Sequence, residues 1–336
     1  MVRMKDIAER GKVSVMTVSK VLHDAPDISA VTKERIRRLA TEMGYVPDAL
    51  AQALRTRKTR LLGLLVPMSG NPFCTQMIAA IEDRAHELGY DLILAHTHDK
   101  VEREEACIRR MLARRVDGLL IHPVSRLAPT AAIYAELRTS TARVVLLDAP
   151  APFCDGFCHV RADDQRASHA LTKHLIALGH RRIAFFAGSS TTPSAASRRK
   201  GYHQALRDNG IPDEDDLIFA AGGTVEDGTK AALQMLDEGV KVTAVQAAND
   251  FVALGAANVF LGQGLKIPRD ISIVGFGDLL AGRQFRVPLT TAALPQYRLG
   301  VAAADALFAL LGGAKPSSTI LAAEVIIRAS SGPVGG

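Results

Sequence analysis

The stretch that most limits what this chain can fold into is residues 4–58, where short helical patterns are separated by turn residues. A first helix is expected at about 5–10, with Ile7 and Ala8 turned inward. After a turn at 11–14, the Ser14 side-chain oxygen is placed to cap a second helix. On that helix Val18, Val21 and Leu22 form the buried stripe, which leaves Val15, Met16, Ser19 and Lys20 facing outward. Ser29 is placed to cap a third helix, whose Ile36, Leu39, Ala40 and Met43 recur at i, i+3, i+4 and i+7. Gly44 stands where a helix-ending glycine belongs. Pro47 then opens a segment, 48–55, too short to be a stable helix by itself, and a basic linker follows at 56–60. Two helices across a tight turn, the second with an unburied outer face, match the arrangement that places a helix in a DNA major groove.

Charge points the same way. The chain has 41 Lys+Arg against 35 Asp+Glu, a net of +6. Residues 1–60 hold 13 basic and 7 acidic side chains, so the whole excess lies there, and the other 276 residues hold 28 of each sign. A solvated basic face would be the plainer account of charge taken alone. Its coincidence with the helix-turn-helix pattern favours a polyanionic partner, double-stranded DNA.

With 336 residues, two or three compact units are expected, each burying its own core. The absence of Trp and an aromatic content of 5% suit an Ala/Leu/Val-rich α/β protein. Met1 leads directly into a charged helix, unlike a signal peptide, and no apolar run approaches ~18 residues, so a cytoplasmic chain without a membrane span is expected. The cysteines Cys74, Cys107, Cys154 and Cys158 lack paired spacing and fit reduced thiols. Cys154, Cys158 and His159 are three conceivable zinc ligands. A structural zinc site takes four, and no second CxxC or HxxxH exists, so neither metal nor cofactor is expected.

From residue 61 onward short apolar runs alternate with amphipathic helices, several ending at glycine. Strands are expected at 61–66, 91–96, 118–122, 144–148, 183–187, 217–221, 244–248, 271–275 and 320–328. Nine or ten β/α repeats imply doubly wound parallel sheets. The length suits two of them side by side with a cleft at the strand C-terminal ends. Chain crossings between the lobes are expected near 149–162, 278–294 and 315–320. No GxGxxG opens the first β/α unit, and no GxxxxGK[ST], GxSxG or HExxH occurs, so no enzyme is expected and no catalytic residue is assigned. An exported solute receptor would share such a core but lack the basic head.

Particular motifs carry a resemblance. In the head they are Asp6-Ile7-Ala8, Val13-Ser14-x-x-Thr17-Val18-Ser19-Lys20-Val21-Leu22, Gly44-Tyr45-x-Pro47 and Ala51-Gln52-x-Leu54. In the core they are Asn71-Pro72-Phe73, Arg115-Val116-Asp117-Gly118, Leu178-Gly179-His180-Arg181-Arg182-Ile183, Arg198-x-x-Gly201-Tyr202, Ala248-Asn249-Asp250, Val274-Gly275-Phe276 and Pro288-Leu289-Thr290-Thr291. In this order and over nearly the whole length, the chain resembles the lactose/galactose-repressor (LacI/GalR) family of bacterial transcription regulators.

The resemblance implies an all-α helix-turn-helix head at 1–46, a hinge helix and linker at 47–60, and a periplasmic-binding-protein-like, two-lobed α/β core at 61–330. The lobes are expected at about 61–160 with 279–294 and at about 161–278 with 295–330. It further implies a homodimer on a pseudo-palindromic operator, helix 13–22 in the major groove, and a segment 48–55 that folds on DNA and pushes Leu54 into the minor groove. A small effector in the cleft would control operator binding, most often as repression of a catabolic operon. A sugar is the first expectation for that effector, and a nucleobase or a phosphorylated metabolite the next.

The DNA-facing set expected on this basis is Ser14, Val15, Met16, Thr17, Ser19, Lys20, His23, Ser29, Thr32, Ala51 and Leu54. Val15 and Met16 suit thymine methyls, Lys20 suits guanine, and the hydroxyl groups suit phosphates. The effector set, carried over position by position, is Phe73, His122, Asp148, Arg198, Asn249 and Asp278, with Asp250 read instead as a helix cap. Three positions depart from the family pattern. Lys12 stands where the turn glycine is usual. Gly277 replaces a carboxylate common in sugar-binding relatives. Gly222-Gly223 occupies the place of an aromatic lid. Lys12 is expected either to shift the turn or to take up a left-handed conformation with some strain.

Overall fold

The computed structural model describes residues 2–46, 58–68, 72–148 and 151–335. It divides into two compact units, residues 1–59 and 60–336. The first holds α1 (Met4–Gly11), α2 (Val15–Leu22) and α3 (Ala30–Glu42). Their inward residues Ile7, Ala8, Val18, Val21, Ile36 and Ala40 form one small core, with Leu22, Leu39, Met43 and Tyr45 packed against it. The caps are those the sequence indicates. Ser14 Oγ accepts from the Thr17 amide at 3.0 Å, Ser29 Oγ accepts from the Thr32 amide at 3.3 Å, and Gly44 ends α3 at φ +68°. The expected segment 48–55, with Ala51 and Leu54, lies outside the described residues.

The turn between α1 and α2 resolves the Lys12 question. Lys12 is left-handed at φ 51°, ψ 45°, so the turn is kept and the lysine takes the strained conformation. The preceding Gly11 is needed for a different reason. A Cβ there would lie 2.8 Å from Ile36 Cδ1, and the Gly11 carbonyl accepts from Arg35 Nη1 at 3.0 Å. Glycine at 11 lets α3 pack directly onto the turn.

The second unit contains two six-stranded sheets of matching order. In the first, β2 (Asp91–His96), β1 (Leu61–Val66), β3 (Gly118–Ile121), β4 (Arg143–Leu147), β5 (Cys158–Ala162) and β11 (Thr319–Leu321) lie side by side, all parallel. In the second the order is β7 (Ile218–Ala220), β6 (Ile183–Ala187), β8 (Ala244–Ala247), β9 (Ser272–Phe276), β10 (Thr290–Ala293) and β12 (Glu324–Ile326), with only β12 antiparallel. The central strands are apolar and buried on both faces, as helix-covered parallel strands must be. The first sheet is flanked by α4 (Pro72–Glu87), α5 (Val101–Ala113), α6 (Ala132–Thr139) and α12 (Gln296–Leu311). The second is flanked by α7 (Asp164–Ala177), α8 (Pro193–Asp208), α9 (Val225–Asp237) and α10 (Asp250–Gly262), with the short α11 (Leu280–Arg283) after β9.

Topology corrects the expected lobe boundaries. Residues 290–293 pair with β9 and so belong to the second lobe. Helix α12 packs its Ala303, Ala306 and Leu307 into the core of the first lobe, and β11 pairs with β5 there. The chain therefore crosses between lobes just after β5, between β10 and α12, and between β11 and β12. The region expected as one strand, 320–328, is two strands in different sheets.

The chain's end is clasped to the second lobe. Ser330 is buried and its hydroxyl donates to the Ile273 carbonyl at 2.6 Å. His180 Nε2–H donates to the Gly332 carbonyl at 3.0 Å, while Nδ1 faces Thr243 Oγ1 at 2.9 Å. His174 Nε2 lies 2.9 Å from Ser331 Oγ. Burial holds both imidazoles below the ordinary histidine range.

Candidate functional site

Candidate functional residues form two sets, one in each unit. In the head, α2 presents its outer face as its periodicity requires. Val15 is 45% exposed and Met16 70% exposed, large apolar side chains left outside a core only one residue away. Several polar side chains of the head are already paired with one another. Ser14 and Thr17 hydroxyls share a hydrogen bond at 2.9 Å, as do Ser29 and Thr32 at 2.9 Å. The His23 ring Nδ1 meets the Ser19 carbonyl at 2.6 Å, so α2 ends with its last turn closed by a side chain.

Lys20 is not a free cation. Its Nζ pairs with Asp27, on the loop between α2 and α3, and the Lys20 ammonium holds the Asp27 carboxyl below the usual carboxylate range. In the same loop Asp24, at φ 56°, pairs with Lys33 at 2.9 Å and Arg37 at 2.8 Å. Lys33 and Arg37 lower its carboxyl as well. The loop is thus tied to α3 at one point and to α2 at another. Sequence reasoning missed Asp27, because a surface carboxylate seven residues from its partner has no periodic signature.

In the core, the expected cleft residues fall at strand C-terminal ends, where doubly wound sheets bind ligands. Phe73 is the second residue of α4, and His122 and Asp148 follow β3 and β4. Asn249 follows β8, Asp278 follows β9, and Arg198 lies on α8. His122 Nε2 is 3.9 Å from Asp148 Oδ2, and among the described residues His122 Nδ1 is buried without a hydrogen-bond partner. Asp148 has φ 103°, a backbone conformation that non-glycine residues hold only where the surroundings impose it.

Phe73 reaches the second lobe. Its ring packs edge-on against Phe251, centroids 5.7 Å apart. It also occupies the space beside Gly277, so a Cβ at 277 (φ +134°) would overlap the ring. This is the physical counterpart of the lost carboxylate: the phenyl edge stands where a side chain at 277 would start.

Three acidic or amide residues here, Asp278, Asn249 and Asp250, are committed to partners within the protein. Asp278, at φ 59°, has both oxygens engaged, by Arg283 at 3.0 and 2.7 Å and by Arg328 at 2.6 Å. Asn249 is the helix cap of α10. Its Oδ1 accepts from the Val252 amide at 2.9 Å, and its Nδ2 donates to the Gly223 carbonyl at 3.0 Å. Asp250 is correspondingly not the cap. It is buried, accepts from Thr291 Oγ1 and the Leu279 amide at 2.6 Å each, and burial raises its carboxyl pKa. Gly223 thus touches two helix starts: its carbonyl accepts from Asn249 at α10, and its amide donates to Asp227 at 3.1 Å at the start of α9.

Arg198 is fixed on three sides. Nε donates to Asp164 Oδ1 at 2.7 Å, Nη1 donates to the Ala248 carbonyl at 2.7 Å, and the guanidinium lies 3.9 Å from the Phe276 ring centroid. Cys154 and His159 have settings of their own within the fold. Cys154 lies in an apolar core, His159 Nδ1 pairs with Ser318 Oγ at 2.9 Å, and no cluster fit for a metal occurs among the described residues. Among the same residues no helix is long and apolar enough to cross a membrane.

Comparison with known proteins agrees with both units. Residues 3–48 match the family described as "Bacterial regulatory proteins, lacI family". Residues 59–329 match the one described as "Periplasmic binding proteins and sugar binding domain of LacI family". The chain is 31% identical to the transcriptional regulator GalR of Salmonella typhimurium, covering 98% of this chain and 96% of that one. It is 33% identical to the transcriptional repressor CytR of Escherichia coli, again over 98% and 96%. Among solved structures, the lac repressor dimer bound to operator and the anti-inducer ONPF matches with a TM-score of 0.88 at 29% identity, covering 98% of this chain and 99% of that one. A head of this geometry joined to a core of this topology, matched along nearly its full length, makes the chain a member of the LacI family of DNA-binding transcriptional regulators.

Proposed function

We propose that the chain works as a homodimeric, cytoplasmic repressor of a catabolic operon, released or engaged by a small ligand held between its lobes, and that it acts by binding rather than by catalysis. The observation that carries the DNA half of this reading is the outer face of α2. Val15 and Met16 remain in solvent although a core lies directly beneath them, and an apolar pair of this kind has a use against thymine methyl groups. Ser14, Thr17, Ser19, His23, Ser29 and Thr32 supply phosphate contacts, and Lys20 reaches a guanine once it leaves Asp27. Ala51 and Leu54 supply the hinge contact. The twofold pairing follows the lac repressor, whose solved form is a dimer on operator.

In the cleft, Asp148 accepts from ligand hydroxyls, Arg198 donates to a ligand oxygen, Phe73 offers an apolar face, and His122 Nδ1 offers a polar group without a partner among the described residues. Asn249 and Asp278 build the wall around these groups. The effector class is a sugar, which agrees with the description of the family that the core matches. The test is a thermal-shift screen of neutral sugars and nucleosides, with every hit then carried into an operator-binding titration. A compound that both stabilises the core and shifts operator affinity is expected. A hit that stabilises the core yet leaves operator affinity unchanged would contradict the coupling.

A further inference from the structure

We propose that Asp164 sets the charge of the effector cleft: it positions Arg198 and cancels its charge, so that the cleft takes an uncharged, hydroxyl-rich ligand and rejects its phosphate ester. This rests on the reading of the cleft given above and deepens it. Asp164 is the first residue of α7, directly after the chain crosses from β5 into the second lobe. Its side chain is only 6% exposed, that of Arg198 17%. The Nε–H···Oδ1 distance of 2.7 Å is that of a charge-assisted bond, and a guanidinium does not give up its proton. With Nη1 on the Ala248 carbonyl and one face on Phe276, the guanidinium is held by groups that leave it little freedom to reorient.

The consequence is electrostatic. A free arginine in a part-buried cleft is an anion site, whereas an arginine paired with a buried carboxylate is a directed hydrogen-bond donor. Burial holds the Asp164 carboxyl above its ordinary range and the Asp148 charge adds to this, while the Arg198 guanidinium and, to a smaller extent, that of Arg161 oppose both. A phosphate monoester would bring close to two negative charges toward these carboxylates. A hydroxyl brings none, and asks only for the acceptor and donor that Asp148 and Arg198 provide. The other cleft carboxylate, Asp278, is likewise compensated within the protein, by Arg283 and Arg328.

The test uses inorganic sulfate as the probe and the melting of the full chain as the readout. The wild type should show only the gradual, non-saturating rise that sulfate gives folded proteins in general. Asp164→Asn keeps an oxygen for Nε and removes the charge. It should gain a saturable sulfate response, half-saturating at a concentration at least tenfold lower than any in the wild type, and the double variant Asp164→Asn/Arg198→Gln should lose it. A merely structural role for Asp164 would not create an anion site. The proposal is overturned if Asp164→Asn answers sulfate as the wild type does, or if the wild type already binds sulfate saturably through Arg198. Should Asp164→Asn not fold, the double variant must melt above Arg198→Gln alone, because only the latter leaves a buried charge unpaired, and the reverse order would overturn the pairing. These outcomes concern the charge at Arg198. A cleft that binds no effector would instead give an empty ligand screen with the sulfate result intact.

Discussion

Gly277 offers the sharpest test of how the cleft is built. Its φ of +134° lies in a region that residues with a side chain occupy only at a strain of about 1–3 kcal/mol. A Cβ would also overlap the Phe73 ring, and such overpacking typically destabilises by another ~1–3 kcal/mol. Gly277→Ala should therefore lose roughly 2–6 kcal/mol of core stability. Phe73→Ala removes the overlap and leaves the backbone strain, so in the double variant only the overlap cost is relieved. A double-mutant cycle should return a favourable coupling of about 1–3 kcal/mol, well beyond the ~0.5 kcal/mol within which independent sites add. Urea unfolding of the full chain followed by circular dichroism measures all four proteins. Additive losses would show that Phe73 does not fill the space at 277, and the explanation given for the missing carboxylate would fall. The same geometry predicts that Gly277→Asp fails to recreate a hydroxyl acceptor.

Other perturbations probe the head and the C-terminal clasp. Lys20→Ala should relax base preference at one half-site position by about 1–3 kcal/mol, and an unaltered DNA selection profile would count against the base contact. Leu54→Ala should weaken operator binding while leaving core melting unchanged, and equal affinity in a gel-shift titration would remove the wedge. His180 is held below the ordinary value of 6.5, so as pH falls through that value the unfolded chain takes up a proton that the folded chain refuses. Stability present above about pH 6.5 is then lost toward lower pH, by up to ~1.4 kcal/mol per pH unit for this one histidine. The wild type should lose more stability between pH 7 and 5 than His180→Gln, and identical slopes would contradict the assignment.

Much of the head was legible because helix periodicity and capping are local. Ser14, Ser29 and Gly44 take their expected places, and Val15 and Met16 are outside for the reason their phase gives. Lys12 confirms that a turn can outweigh a residue's preference when Gly11 must remain small beneath Ile36. In the core, strongly apolar strands such as 61–66 were visible, whereas 158–162, with His159 and Arg161 in it, and 290–293, with two threonines, were not. Their stability comes from neighbours in the sheet, which no local pattern reports. The lobe assignment failed on the same ground. Helix 296–311 has an apolar face that would suit either sheet, and only long-range packing decides between them. The residues expected to line the cleft stand after the strands the pattern named or on the helices beside them, but their side-chain commitments could not be foreseen. Asp278 is engaged by Arg328, 50 residues away, and Asn249 closes a helix that Asp250 might equally have begun from sequence alone. Asp164 was passed over because an acidic residue opening a helix has an ordinary explanation in the helix dipole.

The central claim is that the head reads duplex sequence as one of a symmetric pair. Selection of bound duplexes from a random library by the full chain tests it most directly, repeated with residues 1–60 removed. The account predicts enrichment of two inverted half-sites by the full chain, with affinity falling steeply as salt rises, and no enrichment by the shortened one. A single unpaired motif, or enrichment that survives the deletion, would contradict it.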